Sequence, residues 1–187
     1  MQGSRMSIWK RIAAIVIGSL LCYLLAAFCT VNVGQIRISI DQLPVLLLAI
    51  ICGPIESAIT AIIGSAVYQI QNYGFSWMII PWTISYTLRG IIVGYGCRYL
   101  TKRNDDKPWK RPVQFMALLC FAAVVTTVMN TALIWIDASQ NGMFSMTLVF
   151  DNFYTRLFIS TFVSVTIGLV LPPISEAAER RISRAHT

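Results

Sequence analysis

The stretch IIPWTISYTLRGIIVGYG, residues 79–96, sets Arg89 near the middle of a run otherwise apolar enough to lie in lipid. At 1.5 Å per residue its guanidinium would sit roughly 13–15 Å below the outer end of a helix, near the centre of a bilayer. An unsupported arginine at that depth costs ~3 kcal/mol on insertion scales, so its presence asks for a reason. A period of 3.6 puts Trp82, Ser85, Tyr86 and Arg89 on one face, an aromatic and hydroxyl-lined track leading from the outer surface to the charge. Beyond Arg89, Gly90, Gly94 and Gly96 make a smooth surface with the spacing that lets helix backbones approach closely.

The remainder of the chain agrees with a membrane setting. Of its 187 residues 56% are hydrophobic and 12% charged, against roughly 25% charged in ordinary globular domains. The net charge of +7 would suit nucleic acid only if it were gathered in one patch, whereas here the cations lie between apolar runs. No nucleic-acid partner is expected. Six candidate spans follow, at roughly 8–29, 41–53, 55–71, 79–100, 113–136 and 152–174. The second and third are short and are divided by CGPIE (52–56), which reads either as a tight turn with Pro54 at a helix start or as a re-entrant hairpin. Pro81 opens the fourth span and Pro172-Pro173 is expected to end the sixth. The apolar run after Arg5, Lys10 and Arg11 is longer than a signal-peptide core and lacks an A-x-A site, so it is read as a retained span.

Charge placement orients these spans. All but three of the fifteen lysines and arginines fall near the start of span one (Arg5, Lys10, Arg11), from the end of span four to the start of span five (Arg98 to Arg111), or after span six (Arg180, Arg181, Arg184). By the positive-inside rule the two termini and the 101–112 loop are cytoplasmic. The three cations that topology leaves over are Arg37, Arg89 and Arg156. The outer loops are 31–43, 71–77 and 137–152, carrying Asp41, Asp137 and Asp151, and they could cap a pocket. Trp77, Trp82, Trp135 and Tyr154 could equally form an interfacial aromatic belt.

Asn130 lies about 9 Å, and Arg156 about 6 Å, below the outer ends of their spans. With the inner halves of spans five and six uncharged, polarity is confined to one side, which suits a cup opening outward better than a channel. Arg89 could grip a carboxylate, phosphate or heterocycle edge on a ligand, or it could pair with an outer carboxylate such as Asp41 or Asp151. On span one, Ala14, Gly18, Cys22 and Ala26 recur every four residues; this close-packing stripe could face the protein's own bundle or a partner's helices.

The absences narrow the function. No G-x-x-x-x-G-K-[ST] provides a phosphate cradle for ATP. No H-E-x-x-H or G-x-S-x-G appears, and the single histidine, His186, sits in the polar tail. The five cysteines show no C-x-x-C spacing, so neither a metal nor another cofactor is expected. The chain reads as a binder without an engine. An intramembrane enzyme would need a cluster of ionisable groups that one arginine and one asparagine do not supply; a structural assembly subunit is the other competing reading.

The segments IRISIDQLPVLLLAIICGPIESAITAIIGSAVYQIQNYG (36–74) and SYTLRGIIVGYG (85–96) resemble the substrate-binding S components of energy-coupling factor (ECF) vitamin transporters, with an extended outer loop, a short "LP" span, a G-P turn and an R-G step in span four. The resemblance implies an all-α membrane protein of six helices in an S-component-like bundle. It also implies a vitamin-like substrate in an outward pocket, with Trp82, Tyr86, Arg89, Asn130, Arg156 and the outer loops as contacts. Ser85, Trp77 and Arg37 complete the candidate set. The same resemblance implies that the span-one stripe docks a membrane coupling subunit, which in turn holds two ATPase subunits.

Overall fold

A computed structural model describes residues 7–33, 36–75, 79–104, 107–140 and 146–185. The chain forms α1 (Ile8–Phe28), a hairpin of β1 (Thr30–Val33) and β2 (Ile36–Ser39), α2 (Leu43–Ile51), α3 (Pro54–Tyr73), α4 (Ile79–Asn104), a single 3-10 turn (Pro108–Lys110), α5 (Pro112–Gln140) and α6 (Met146–Ala185). Three of the helices, over Ile8–Phe28, Pro112–Ile136 and Val149–Val170, are long and apolar enough to cross a membrane by composition. The helices α3 and α4 have the length, at 20 and 26 residues. Their mean hydropathy is lower because they carry the polar groups turned inward: Ser57, Thr60, Thr83, Ser85 and Arg89 are all buried. Outward-facing positions along the long helices are largely apolar, including Val16, Leu20, Ile62, Phe121, Val128 and Phe158, as suits lipid.

The bundle is knit through small residues. Helices α2, α3 and α4 pack on one another, and α5 lies between α4 and α6. At Gly94 an added Cβ would come within 2.6 Å of the Pro54 backbone; α4 and the start of α3 touch main chain to main chain. Pro54 opens α3 directly after Gly53, whose φ of 121° lies in the region that favours glycine. The resulting turn reverses the chain from α2 into α3. Arg98 lies across it, close enough that a Cβ at Gly53 would sit 2.4 Å from Nη2. Arg11 pairs with Glu56 at 3.1 Å, so the basic ends of α1 and α4 meet the same turn. Leu46, Ala49, Val93, Cys97, Phe115, Leu119, Ala122 and Ile167 make a dry core on this side of the bundle.

Three expectations change. The 31–43 segment is not simply a loop: it forms an antiparallel pair, with Val31 opposite Ile38 and Asn32 opposite Arg37. The alternating V-N-V and I-R-I-S residues are β-branched and period two, which favours strands over an open loop. The second span is a helix of 9 residues, about 13 Å long and less than half the hydrocarbon thickness. Finally, Pro172-Pro173 does not stop α6, which runs for 40 residues to Ala185. Each proline removes one N–H from the ladder, and because the pair falls where the apolar stretch Val149–Val170 ends, water can satisfy the carbonyls released.

Candidate functional site

The short α2 explains how the polar residues assemble. The chain leaves α1 at its outer end, makes the hairpin, and then descends through Ile40 and Asp41 to Gln42, the residue capping α2. Gln42 meets Arg89, so α2 starts near mid-depth and covers only the inner half of the bundle. A discontinuous span of this kind places a helix amino terminus, with its positive dipole end, inside the membrane.

Around that point the structure gathers Asp41, Gln42, Tyr86, Arg89, Ser160 and Ser164. Arg89 is 2% exposed. Its Nη1 donates to Gln42 Oε1, and its Nη2 donates to the Ser160 carbonyl at 3.2 Å and to Ser164 Oγ at 2.8 Å. Ser164 Oγ in turn donates to the Ser160 carbonyl at 2.7 Å. One guanidinium therefore ties α2, α4 and α6 together, which a planar multi-donor group can do and a point charge cannot. The partly buried Tyr86 brings its hydroxyl within hydrogen-bonding reach of the Asp41 and Gln42 side chains. Asp41 is itself buried and acts electrostatically on both Arg89 and Arg156. Arg156, half-buried one turn above Ser160 on α6, faces the same carboxylate and Tyr86.

Buried polar atoms in this region without a hydrogen-bond partner include Arg89 Nε, Ser85 Oγ and Asn130 Oδ1. Ser85 lies one turn above Arg89 on α4, and Asn130 lies on α5, which packs against α4. Unmet donors and acceptors at such depth are uncommon in folded proteins and mark places where a ligand or water completes the structure. The cavity adjoining the cluster is small, about 10 Å³, and is lined by Cys22, Asp41, Val45, Ala61, Gly64, Ser65 and Tyr86. That is room for about one water. Among the described residues, Arg89 is buried against Gln42 and the α6 serines.

The remaining sequence candidates divide. Trp77 lies outside the described residues, as do the side chains of Trp82 and Arg37, whose backbones belong to α4 and β2. Trp135 and Tyr154 are exposed on the outer parts of α5 and α6, where an interfacial belt would lie. The α1 stripe turns inward: Gly18, Cys22 and Ala26 are buried and Ala14 is half-buried. A Cβ at Gly18 would lie 2.2 Å from Leu48, and one at Gly64 of α3 would lie 2.6 Å from Cys22 Cβ. In this chain the stripe packs on the protein's own bundle, where α3 offers Thr60, Ala61 and Gly64 as a matching smooth face.

Sequence reasoning missed Gln42, Ser160 and Ser164. The two serines carried a signal, since Arg156, Ser160 and Ser164 recur every four residues on one face of span six. Gln42 carried none, because its role depends on α2 beginning at mid-depth. Among the described residues no group of three His, Cys, Asp or Glu could hold a metal ion. The arrangement can bind and orient a polar group; no nucleophile paired with a base appears in it.

Comparison with known proteins agrees with this architecture. A curated relative, the UPF0397 protein of Leuconostoc citreum strain KM20, is 21% identical over 163 residues, covering 86% of this chain and 80% of its own length. A solved structure titled as the S component of a bacterial ECF transporter superposes with a TM-score of 0.63 at 16% identity, over 97% of this chain and 99% of that one. The family model described as the ECF-type riboflavin transporter, S component, matches residues 6–180. The chain belongs to that family, and it is an integral membrane, substrate-binding subunit of an ECF transporter rather than an enzyme.

Proposed function

We propose that this subunit captures a vitamin or related micronutrient at the outer face of the cell membrane. It would hand that solute to an ECF complex in which a membrane coupling subunit and two ATPase subunits drive uptake. The observation that carries the reading is the polar cluster Asp41–Gln42–Tyr86–Arg89–Ser164, placed where the hairpin enters the bundle and backed on the inner side by an apolar core. A polar cluster at mid-depth set against an apolar core supports a site filled from one side. The unmet atoms of Arg89, Ser85 and Asn130 are donors and acceptors that a bound solute would satisfy, with Tyr86 supplying aromatic surface.

In the state described, Gln42 at the start of α2 covers the Arg89 side chain. Binding would require that cover to shift by the length of a side chain, Gln42 exchanging its contact with Arg89 for one with the ligand. Riboflavin, which the matching family's description names, is the first solute to test. Purified protein titrated with riboflavin and a panel of other vitamins, followed by tryptophan fluorescence, is expected to show saturable binding of one member with a sub-micromolar Kd. Absence of saturable binding across the panel, with no small molecule retained in native mass spectrometry, would refute the reading.

A further inference from the structure

The lipid-facing side of the α3–α4 pair carries a feature that solute capture does not use. Ile84, Leu88, Ile91, Tyr95, Arg98 and Lys102 follow one another along α4 at alternating steps of four and three, which sets them on one stripe of the helix. Beside the apolar part of that stripe runs a groove of about 450 Å³, lined by Ile62 and Ala66 of α3 and by Ile84, Thr87, Leu88 and Ile91 of α4. Its hydroxyls are spent inside the protein. Thr87 Oγ1 donates to the Thr83 carbonyl at 2.9 Å, and Thr83 Oγ1 accepts from Ser65 Oγ at 3.2 Å. The groove therefore offers hydrocarbon and no free polar group to its occupant. At the basic end the stripe changes character: Tyr95, Arg98, Tyr99 and Lys102 are all exposed, and Arg98 turns across Gly53 between α2 and α3. Glu56, the acid of that turn, is engaged by Arg11 at 3.1 Å. From Arg98 to Arg111 the sequence holds six cations and two acids, Asp105 and Asp106, so this end stays positive whatever the two acids meet.

Depth fits the same picture. Arg98 lies about 14 Å along the helix from Arg89, close to half of a ~30 Å hydrocarbon core. With Arg89 near mid-depth, Arg98 stands where hydrocarbon gives way to lipid phosphate, and Ile91 and Leu88 lie about 10 and 15 Å deeper, within reach of an acyl chain. We propose that this stripe holds one anionic phospholipid from the leaflet on the basic side. Its phosphate lies against Arg98 and Lys102, its glycerol region against Tyr95 and Tyr99, and an acyl chain rises into the α3–α4 groove. A guanidinium matches phosphate through paired donors, tyrosine suits the headgroup level, and basic residues at the membrane surface attract anionic lipid. Because Arg98 rests on the Gly53–Pro54 turn, the bound lipid braces the junction of α2 and α3.

The test presents the purified full chain with phosphatidylglycerol or phosphatidylcholine of identical acyl chains. Native mass spectrometry counts the lipids retained per chain, and thermal unfolding in nanodiscs of each composition reads the stabilisation. The expected result is one phosphatidylglycerol retained about fivefold or more over phosphatidylcholine, the worth of one basic residue at an anionic surface, with a higher Tm in the anionic nanodisc. Arg98→Gln should bring that preference below about twofold, and Lys102→Gln, a second change at an exposed position, should lower it as well. Arg111→Gln removes the same charge away from the stripe and should keep the preference. Equal loss in Arg98→Gln and Arg111→Gln would mark a diffuse attraction of the basic end and overturn the site, as would equal retention of the two lipids. Glycerol phosphate, which has the charge without the chains, should leave the retained lipid in place; its displacing the lipid would make this a site for free phosphate esters and overturn the lipid assignment.

Discussion

Arg89 answers to two demands that pull in opposite directions. Its terminal nitrogens hold α2 and α6 against α4, and hydrogen bonds from a charged donor contribute about 1.5–3 kcal/mol each. Its burial at 2% exposure removes it from water, which offsets much of that gain. Replacing it by alanine therefore relieves a desolvated charge as it breaks the ties, so the bundle should survive while the ligand loses its principal donor. Arg89→Ala is expected to weaken ligand binding at least tenfold, about 1.4 kcal/mol, with the variant still monodisperse and helical in detergent. Arg89→Lys keeps the charge but cannot reach Gln42 and Ser164 together, and should fall between the two. Calorimetric titration alongside circular dichroism checks both. Binding that survives in Arg89→Lys, while Arg89→Ala cannot be recovered folded, would mark the guanidinium as architectural.

Among the elements, the short α2 and the α3–α4 seam set the geometry. At Gly94 any side chain would meet the Pro54 backbone at 2.6 Å, and backbone cannot swing aside, so Gly94→Leu should force the helices apart at a cost of 1–3 kcal/mol or more, on the order of typical overpacking. At Gly74 an added Cβ has nothing within 4 Å, but φ is 72° and ψ −174°, a backbone essentially restricted to glycine; Gly74→Ala should cost about 1–3 kcal/mol from strain alone. Thermal unfolding in detergent measures both, and a Gly94→Leu protein as stable as the parent would contradict the seam. On α1, Gly18 and Cys22 face α3 and α2, while Val16, Ile17, Leu20 and Leu24 face outward. Gly18→Leu is thus expected to lower the stability of the isolated subunit, whereas Leu20→Ala should leave it within ~0.5 kcal/mol and act, if at all, on assembly with the coupling subunit. A Gly18→Leu protein as stable as the parent and defective only in assembly would return the stripe to a docking role.

For the molecule as a whole, the arrangement fixes which ends share a side. Cys29 is exposed at the end of α1, Cys52 lies at the turn beside Arg11 and Glu56, and Cys22 and Cys97 are buried. With the basic ends inside, a membrane-impermeant maleimide applied to intact cells should label Cys29 and spare Cys52, inverted vesicles should reverse that result, and Cys22 and Cys97 should react in neither. Labelling of Cys52 from outside would invert the orientation. Much of this architecture was legible in the chain: runs of apolar residues can satisfy their backbones in lipid only as helices, so the helical spans, the G-P turn and the buried depth of Arg89 follow from composition and spacing alone. What the order of residues could not decide was where α2 begins and what closes over Arg89. Those depend on the depth to which the hairpin carries Gln42, on the fit of α3's smooth face to the α1 stripe, and on Ser160 and Ser164 arriving from a helix more than seventy residues away. Such contacts are set by packing between elements distant in the chain, for which local periodicity carries no information.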